Sequence, residues 1–443
     1  MHTPSTLLCP LGAPTASELA ALAAAAAGRL AADPGLTPAG LVHELAAGRA
    51  GPHRAAVLAD DRGTLADGLT ALAEGRAHDA LVTGEAAGGC GTALVFPGQG
   101  SQWPRMAADL YAQSPVFRER IDAVAAELSR WTDWKLLDAV VGGEGEELLE
   151  RVEVVQPALF AVMVAIAAQW EAYGVTPTAV IGHSQGELAA AHVAGVLSLK
   201  DAVRIVVMRG KVLRGLTGCG GMLSVPMPRE WTARYVAERS GRLAIAAENG
   251  PGNLVVSGDV PALEELVRVC AEEGVRARLV KVDYPSHSPQ IDRIRDEFLD
   301  GIAGITPRPG RLPYYSSVAA GRLDGTELDA AYWFRNLRHT VRFEATVRAA
   351  ASDGHLRFVE SSPHPVLVRG LQRILREVPG SRVTESLRRN EGGTDRFLRS
   401  VAAAWTHGAH VDRTAVPAVR PADPTDPDAN PRGAATPGSA ARP

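Results

Sequence analysis

The stretch VIGHSQGELAAAH, Val180 to His192, permits few folds. A short apolar run ends in a glycine, a serine stands two residues on, and a second glycine follows at the same spacing. An alanine-rich helical pattern begins at once. G-x-S-x-G between a strand and a helix makes a tight turn, because glycines on both flanks remove Cβ atoms that would collide. A buried strand running straight into a helix belongs to a parallel sheet with crossover helices. The turn lifts the Ser184 hydroxyl above the strand ends, and the helix beneath points its first N–H groups at the same place. A small-residue turn without chemistry has the same letters. The strand–turn–helix setting favours a nucleophile.

The rest of the chain reads in pieces. Residues 15–90 carry helical patterns (TASELAALAAAAAGRLAAD, PAGLVHELAAG, RGTLADGLTALAEG) and one short strand, HRAAVLA. GTALVFPGQG is a buried strand ending in a Pro/Gly loop. From there to about residue 215, helical patterns alternate with short apolar runs, as in a parallel sheet. The text then changes to strand 222–227, helix 229–239, strands 242–248 and 253–257, helix 260–273 and strand 276–282. That β-α-β-β-α-β order is a ferredoxin-like split unit inserted as a second, smaller subdomain. After His287, helical patterns resume until about 385. The last residues are rich in Pro, Ala, Asp and Gly, and are expected to be disordered.

Bulk properties remove several function classes. A chain of 443 residues has room for two or three domains. An apolar fraction of 46% with 22% charged residues fits a globular protein, and the net charge of −4 without a Lys/Arg stripe argues against nucleic acid. Cys9, Cys90, Cys219 and Cys270 lack metal-site or disulfide-framework spacing, which points to a reducing, cytoplasmic setting and no metal. The N-terminus lacks the layout of a signal peptide. The apolar run LFAVMVAIAAQW is too short to span a bilayer, so no membrane contact is expected.

A serine nucleophile needs a base. His287, His339, His355 and His364 are candidates, while His192 lies two helical turns past Ser184 and is read as structural. His287 stands where the chain crosses back from the small subdomain, and pockets form at such junctions. Asp283 lies too close to His287 for the separate loop of a Ser…Asp…His triad, and is read as hydrogen bonding at a strand end.

Taken together, VFPGQGSQW (95–103), RVEVVQPALFAVMV (151–164), GHSQGE (182–187), MRGK (208–211), VDYPSHS (282–288), AAYWFRNLRHTVRF (330–343) and FVESSPHPVL (358–367) resemble the acyltransferase domains of type I polyketide synthases, relatives of malonyl-CoA:acyl-carrier-protein transacylases. The resemblance implies an α/β fold: an α/β-hydrolase-like large subdomain (91–215 and 286–385) with a parallel sheet, and a ferredoxin-like small subdomain (216–285). Flanking it would be a linker-like α+β unit (1–90), a following linker (386–415) and a disordered tail (416–443). No ketosynthase or carrier segment is visible, so the chain reads as a free-standing transferase or a piece of a longer polypeptide.

The resemblance also implies roles. Ser184 would attack an acyl thioester, with His287 taking its proton and returning one to the departing thiol. A backbone carbonyl, expected at Asn336, would hold the second imidazole nitrogen. The backbone N–H groups of Gln99 and Gln185 would form the oxyanion hole. Arg209 would bind the free carboxylate of a malonyl-type group through its planar fork. Tyr284 and Ser286 belong to the substrate-binding motif YxSH, which goes with methylmalonyl. Pro285 replaces the alanine usual within that motif, leaving methylmalonyl open against larger alkylmalonyl groups. One methylene is worth only about 1–3 kcal/mol of discrimination. Acyl-CoA would be the donor, the phosphopantetheine thiol of an acyl carrier protein the acceptor, and no cofactor would be permanently bound. A starter-unit loading transferase and a serine hydrolase or thioesterase are the alternatives.

Overall fold

The computed structural model describes residues 6–48, 50–86 and 88–412. The expected disordered tail, 416–443, lies outside them. Three sheets organise the described residues. The first is antiparallel, with strands Leu7–Ala13, His53–Ala59 and Leu81–Glu85 in that order. Helices Ala16–Ala32, Pro38–Ala47 and Arg62–Ala73 pack with it around a small apolar core. Thr15 and Glu18 start the first of these helices with a reciprocal capping box, each side chain taking the other's backbone N–H. Two of the three strands are not legible in the sequence. Leu7–Ala13 contains Pro10 and Gly12 and is buried almost throughout rather than alternating. As an edge strand it tolerates the proline.

The large sheet has six strands in the order Gly321–Leu323, Tyr314–Ser316, Ala179–Gly182, Gly91–Phe96, His355–Glu360, Arg382–Glu385. All neighbours are parallel except the antiparallel edge strand Gly321–Leu323. Four of these strands lie beyond His287, where the sequence shows helical patterns alone. Three of the four have only three or four residues, too few for a period of two to appear. Helix Val152–Ala172 runs through the main core. At 21 residues it is longer than the apolar run suggests, long and apolar enough to cross a membrane, yet 94% of its most apolar window is buried within the protein.

The third sheet runs Leu243–Glu248, Leu254–Gly258, Gly221–Val225, Arg278–Leu279, all antiparallel. With helices Arg229–Ala237 and Val260–Glu272 it is the ferredoxin-like unit. Its last strand is two residues long instead of the seven expected. Beyond Leu279 the Val282 N–H turns back to the Val280 carbonyl at 2.8 Å, which ends the ladder. Helix Thr394–Thr406 then returns to the first sheet, with the Arg54 guanidinium 4.0 Å from the centre of the Trp405 ring.

Steric demand explains the glycines of the opening motif. A Cβ on Gly182 would lie 2.2 Å from Glu187 Cα, and one on Gly186 would lie 2.1 Å from the Phe96 carbonyl oxygen. Strand and helix meet there backbone to backbone, so neither contact yields by a side-chain shift. Gly143, by contrast, has open space where a Cβ would go. Gly186→Ala should cost about 1–3 kcal/mol or more through overpacking. It should lower the thermal unfolding midpoint, while Gly143→Ala leaves it in place; equal midpoints for the two variants would contradict this packing.

Candidate active site

The site forms at the carboxyl ends of the parallel strands. Ser184 follows strand Ala179–Gly182 and adopts φ 54°. His287 leaves the small subdomain with φ 58°. Left-handed backbone at a non-glycine residue costs about 1–3 kcal/mol and persists only where surrounding contacts enforce it. Here they do: His287 N–H donates to the Leu337 carbonyl at 3.0 Å, and Ser288 Oγ donates to the Pro285 carbonyl at 2.6 Å. The two side chains meet, Ser184 Oγ to His287 Nε2, at 2.8 Å.

The imidazole's second nitrogen, Nδ1, lies 2.8 Å from the His339 carbonyl. That oxygen belongs to His339 and not, as expected, to Asn336. Asn336 sits inside helix Ala330–Arg338, where carbonyls point along the axis; His339 is its C-cap in extended conformation, and its carbonyl is free to turn sideways. A carbonyl only accepts, so Nδ1 carries the proton and Nε2 presents its lone pair to Ser184. Burial and the nearby Arg209 guanidinium push the His287 pKa down to about 3, with the His339 hydrogen bond opposing. The ring is therefore neutral at pH 7 and in the tautomer of a base.

Arg209, from helix Leu199–Arg214, is only 1% exposed. Its Nη1 donates to Asn336 Oδ1 at 2.7 Å and its Nη2 to Ser184 Oγ at 3.2 Å. Its Nε has no partner, and no carboxylate forms an ion pair with it among the described residues. Burial lowers its pKa to about 10, still fully charged at pH 7. Asn336 thus acts through its side chain, which also donates to the Ser184 carbonyl at 3.2 Å.

The loop after strand Gly91–Phe96 lies against Ser184: a Cβ on Gly98 would stand 3.5 Å from Ser184 Cβ. Neither the Gln99 nor the Gln185 backbone N–H has a protein acceptor among the described residues. The Gln99 side chain accepts from the Tyr284 hydroxyl at 2.6 Å. Gln156, the last residue of the RVEVVQ motif, donates to that hydroxyl at 3.5 Å, and its own carbonyl is buried without a partner. Ser286 is buried and bonds the Tyr284 carbonyl through its backbone N–H at 3.2 Å. A cleft of about 970 Å³ leads here, with Gln99, Gly100, Tyr284, Lys281 and Arg389 in its walls.

The other histidines are engaged elsewhere. His192 bonds the Leu197 carbonyl and packs near Phe160; His355 meets Thr178 Oγ1; His364 accepts from the Arg389 backbone. Asp283 gives its backbone carbonyl to Gly218 N–H at 2.7 Å. The sequence marks His339 only as one candidate base and offers no signal for the role of its carbonyl, because a carbonyl carries no residue identity. Glu187 is visible inside GHSQGE, yet nothing in the letters shows what its carboxylate meets.

A hydroxyl bonded to a neutral imidazole thus stands beside a buried cation that has no ion-pair partner among the described residues. The acyl transferase domain family matches residues 93–411. The chain belongs to this family. It is similar to polyketide synthase GfsB of Streptomyces halstedii, 51% identical over 373 residues, which are 84% of this chain and 7% of that one. The chain therefore spans a small part of that synthase's length. Among solved structures, the acyltransferase domain of module 8 of the salinomycin polyketide synthase is 44% identical, with a TM-score of 0.89 over 93% of this chain and 98% of that one. A malonyl-CoA:acyl carrier protein transacylase from Xanthomonas oryzae is 31% identical, with a TM-score of 0.64 over 73% of this chain and 99% of that one. The chain is thus an enzyme of the acyltransferase class, with the fold of polyketide synthase acyltransferase domains.

The His287 geometry is checked by imidazole NMR. A pKa depressed below the ordinary value keeps the ring neutral as pH falls through about 6.5. The expected signals are those of the Nδ1–H tautomer down to about pH 5. Titration near 6.5 would contradict the burial and cationic neighbour described above.

Proposed function

We propose that this chain carries an α-substituted malonyl group from coenzyme A to the phosphopantetheine thiol of an acyl carrier protein, by way of a Ser184-linked acyl-enzyme, in polyketide biosynthesis. The observation that carries the reading is Arg209: a buried guanidinium that touches the Ser184 oxygen and has no carboxylate of its own. A hydrolase of simple esters gains nothing from such a group, whereas a substrate carboxylate supplies its missing counter-charge.

The steps follow from the hydrogen bonds. His287 Nε2 takes the Ser184 proton as Oγ bonds to the thioester carbonyl carbon. The carbonyl oxygen becomes an oxyanion facing the Gln99 and Gln185 N–H groups, each such donor being worth about 10²–10³ in rate. The tetrahedral adduct collapses, the C–S bond breaks, and the imidazolium gives its proton to the leaving CoA sulfur. The carrier thiol then repeats the sequence in reverse, surrendering its proton to His287 while Ser184 recovers one. Around the imidazolium, the His339 carbonyl holds Nδ1–H and fixes the ring plane.

The α-substituent would sit near Tyr284, Gln99 and Gln156. Pro285 is turned elsewhere: a Cβ on Gly220 would lie 2.8 Å from its Cβ, so the ring packs under the small sheet. Its influence on the acyl group is through loop stiffness, which leaves methylmalonyl and larger alkylmalonyl groups both compatible with the motif.

Intact-protein mass after mixing with a panel of acyl-CoAs tests the reading. The expected result is a mass increase by one alkylmalonyl group, absent in Ser184→Ala. Arg209→Ala should lower kcat/KM for alkylmalonyl-CoA by about 10²-fold or more, as for loss of a charge-assisted fork, while plain acyl thioesters change far less. Equal losses on both substrates would show that Arg209 does not bind the acid.

A further inference from the structure

The reading of Arg209 as an acid clamp leaves a question on which this inference rests: what keeps that guanidinium charged, in place and open. Glu187 is fully buried, three residues past the nucleophile, and no step above uses it. Four donors surround its carboxylate. The Ser317 backbone N–H, at 2.7 Å, and the Ser317 hydroxyl meet Oε1; the Tyr314 hydroxyl, at 2.6 Å, and the Tyr332 hydroxyl meet Oε2. Burial pushes the carboxyl pKa up, and these hydrogen bonds pull against it. An acceptor facing four donors is the arrangement that stabilises an anion inside a protein.

Glu187 and Arg209 form no ion pair, yet the carboxylate's field favours the charged guanidinium. They are also joined through one rigid element. Tyr332 and Asn336 stand one turn apart on a single face of helix Ala330–Arg338, and His339 caps it. Tyr332 bonds Glu187, Asn336 bonds Arg209 and the Ser184 carbonyl, and the His339 carbonyl holds His287. Four buried groups of the site thus take their positions from one helix.

We infer that Glu187 is a positioning residue for acyl-group selection: the buried counter-charge that, through Tyr332 and the helix it anchors, presents Arg209 as a charged, uncommitted guanidinium to the substrate carboxylate. A direct Glu–Arg pair would leave no donors for the acid. An arginine with no counter-charge would carry the full desolvation cost of its burial. A carboxylate held nearby by tyrosines and a serine avoids both.

A purely structural network, pinning the elbow helix to strand Tyr314–Ser316, would affect all substrates alike, so the test compares two. KM and kcat are measured for alkylmalonyl-CoA and propionyl-CoA with the wild-type chain, Glu187→Gln, Tyr332→Phe and the milder Ser317→Ala. The expected result is a KM raised about tenfold or more for the carboxylated substrate and less than about threefold for propionyl-CoA, largest in Glu187→Gln. Equal changes for both substrates, or none, would overturn the inference. If Glu187→Gln does not fold, Ser317→Ala reads the same ratio with one donor lost and the charge kept. A wild-type chain that shows no preference for the carboxylated thioester would overturn the clamp itself, and is distinguished because the failure then precedes any substitution.

Discussion

An arginine buried to 1% exposure without an ion-pair partner is the constraint around which the site is arranged. Burying a charge is expensive unless neighbouring groups replace water, and here they do so only in part. Asn336 and Ser184 accept from two of its N–H groups, and its Nε has no partner among the described residues. Burial first, and then the same cation, lower the His287 pKa. A carboxylate bound at Arg209 would weaken that effect just as the imidazole must accept a proton. On the proposed reading, a bound acid and the basicity of His287 would be coupled through one charge.

Backbone strain falls on the two residues whose side chains meet. Among the described residues, five non-glycine residues have left-handed φ, and Ser184 and His287 are two of them. Each is held there by its flanks: Ser184 by Gly182 and Gly186, whose missing Cβ atoms let strand and helix touch, and His287 by hydrogen bonds to the end of helix Ala330–Arg338. The strain turns both side chains out of their local chain direction and toward each other. The glycines are needed for the close approach of the backbone, and the serine takes the unusual φ that this approach imposes.

What the sequence makes legible follows from how far apart the causes lie. The elbow is local, so G-x-S-x-G between an apolar run and an alanine-rich helix makes the turn at Ser184 legible directly. The ferredoxin-like order is legible because its helices and most of its strands are long enough to show their periods. The strands Tyr314–Ser316, Gly321–Leu323 and Arg382–Glu385 are hidden, because pairing to neighbours far away in sequence, not composition, makes them strands. His339 illustrates a deeper limit. Its function is a backbone carbonyl released by a helix end, and a shift of three residues from Asn336 is beyond what motif spacing resolves. Asn336, expected to supply that carbonyl, instead contributes an amide to both Arg209 and the nucleophile's backbone. Glu187 stands in the most conspicuous motif of the chain, but Tyr314, Ser317 and Tyr332 reach it from more than a hundred residues away.

The two subdomains meet on either side of the Ser184–His287 pair. Strand Leu243–Glu248 of the small sheet is extended by the segment just past His339: Val341 N–H bonds the Ala246 carbonyl at 2.9 Å, and Glu248 N–H bonds the Val341 carbonyl at 2.9 Å. The next residue, Asn249, meets the His183 ring at 2.7 Å, immediately before the nucleophile. Sheet, tautomer-fixing carbonyl and elbow are thus linked by hydrogen bonds short enough to move together. His287 hangs from the same helix end through its N–H bond to the Leu337 carbonyl, so its ring and the His339 carbonyl are carried by one piece of chain.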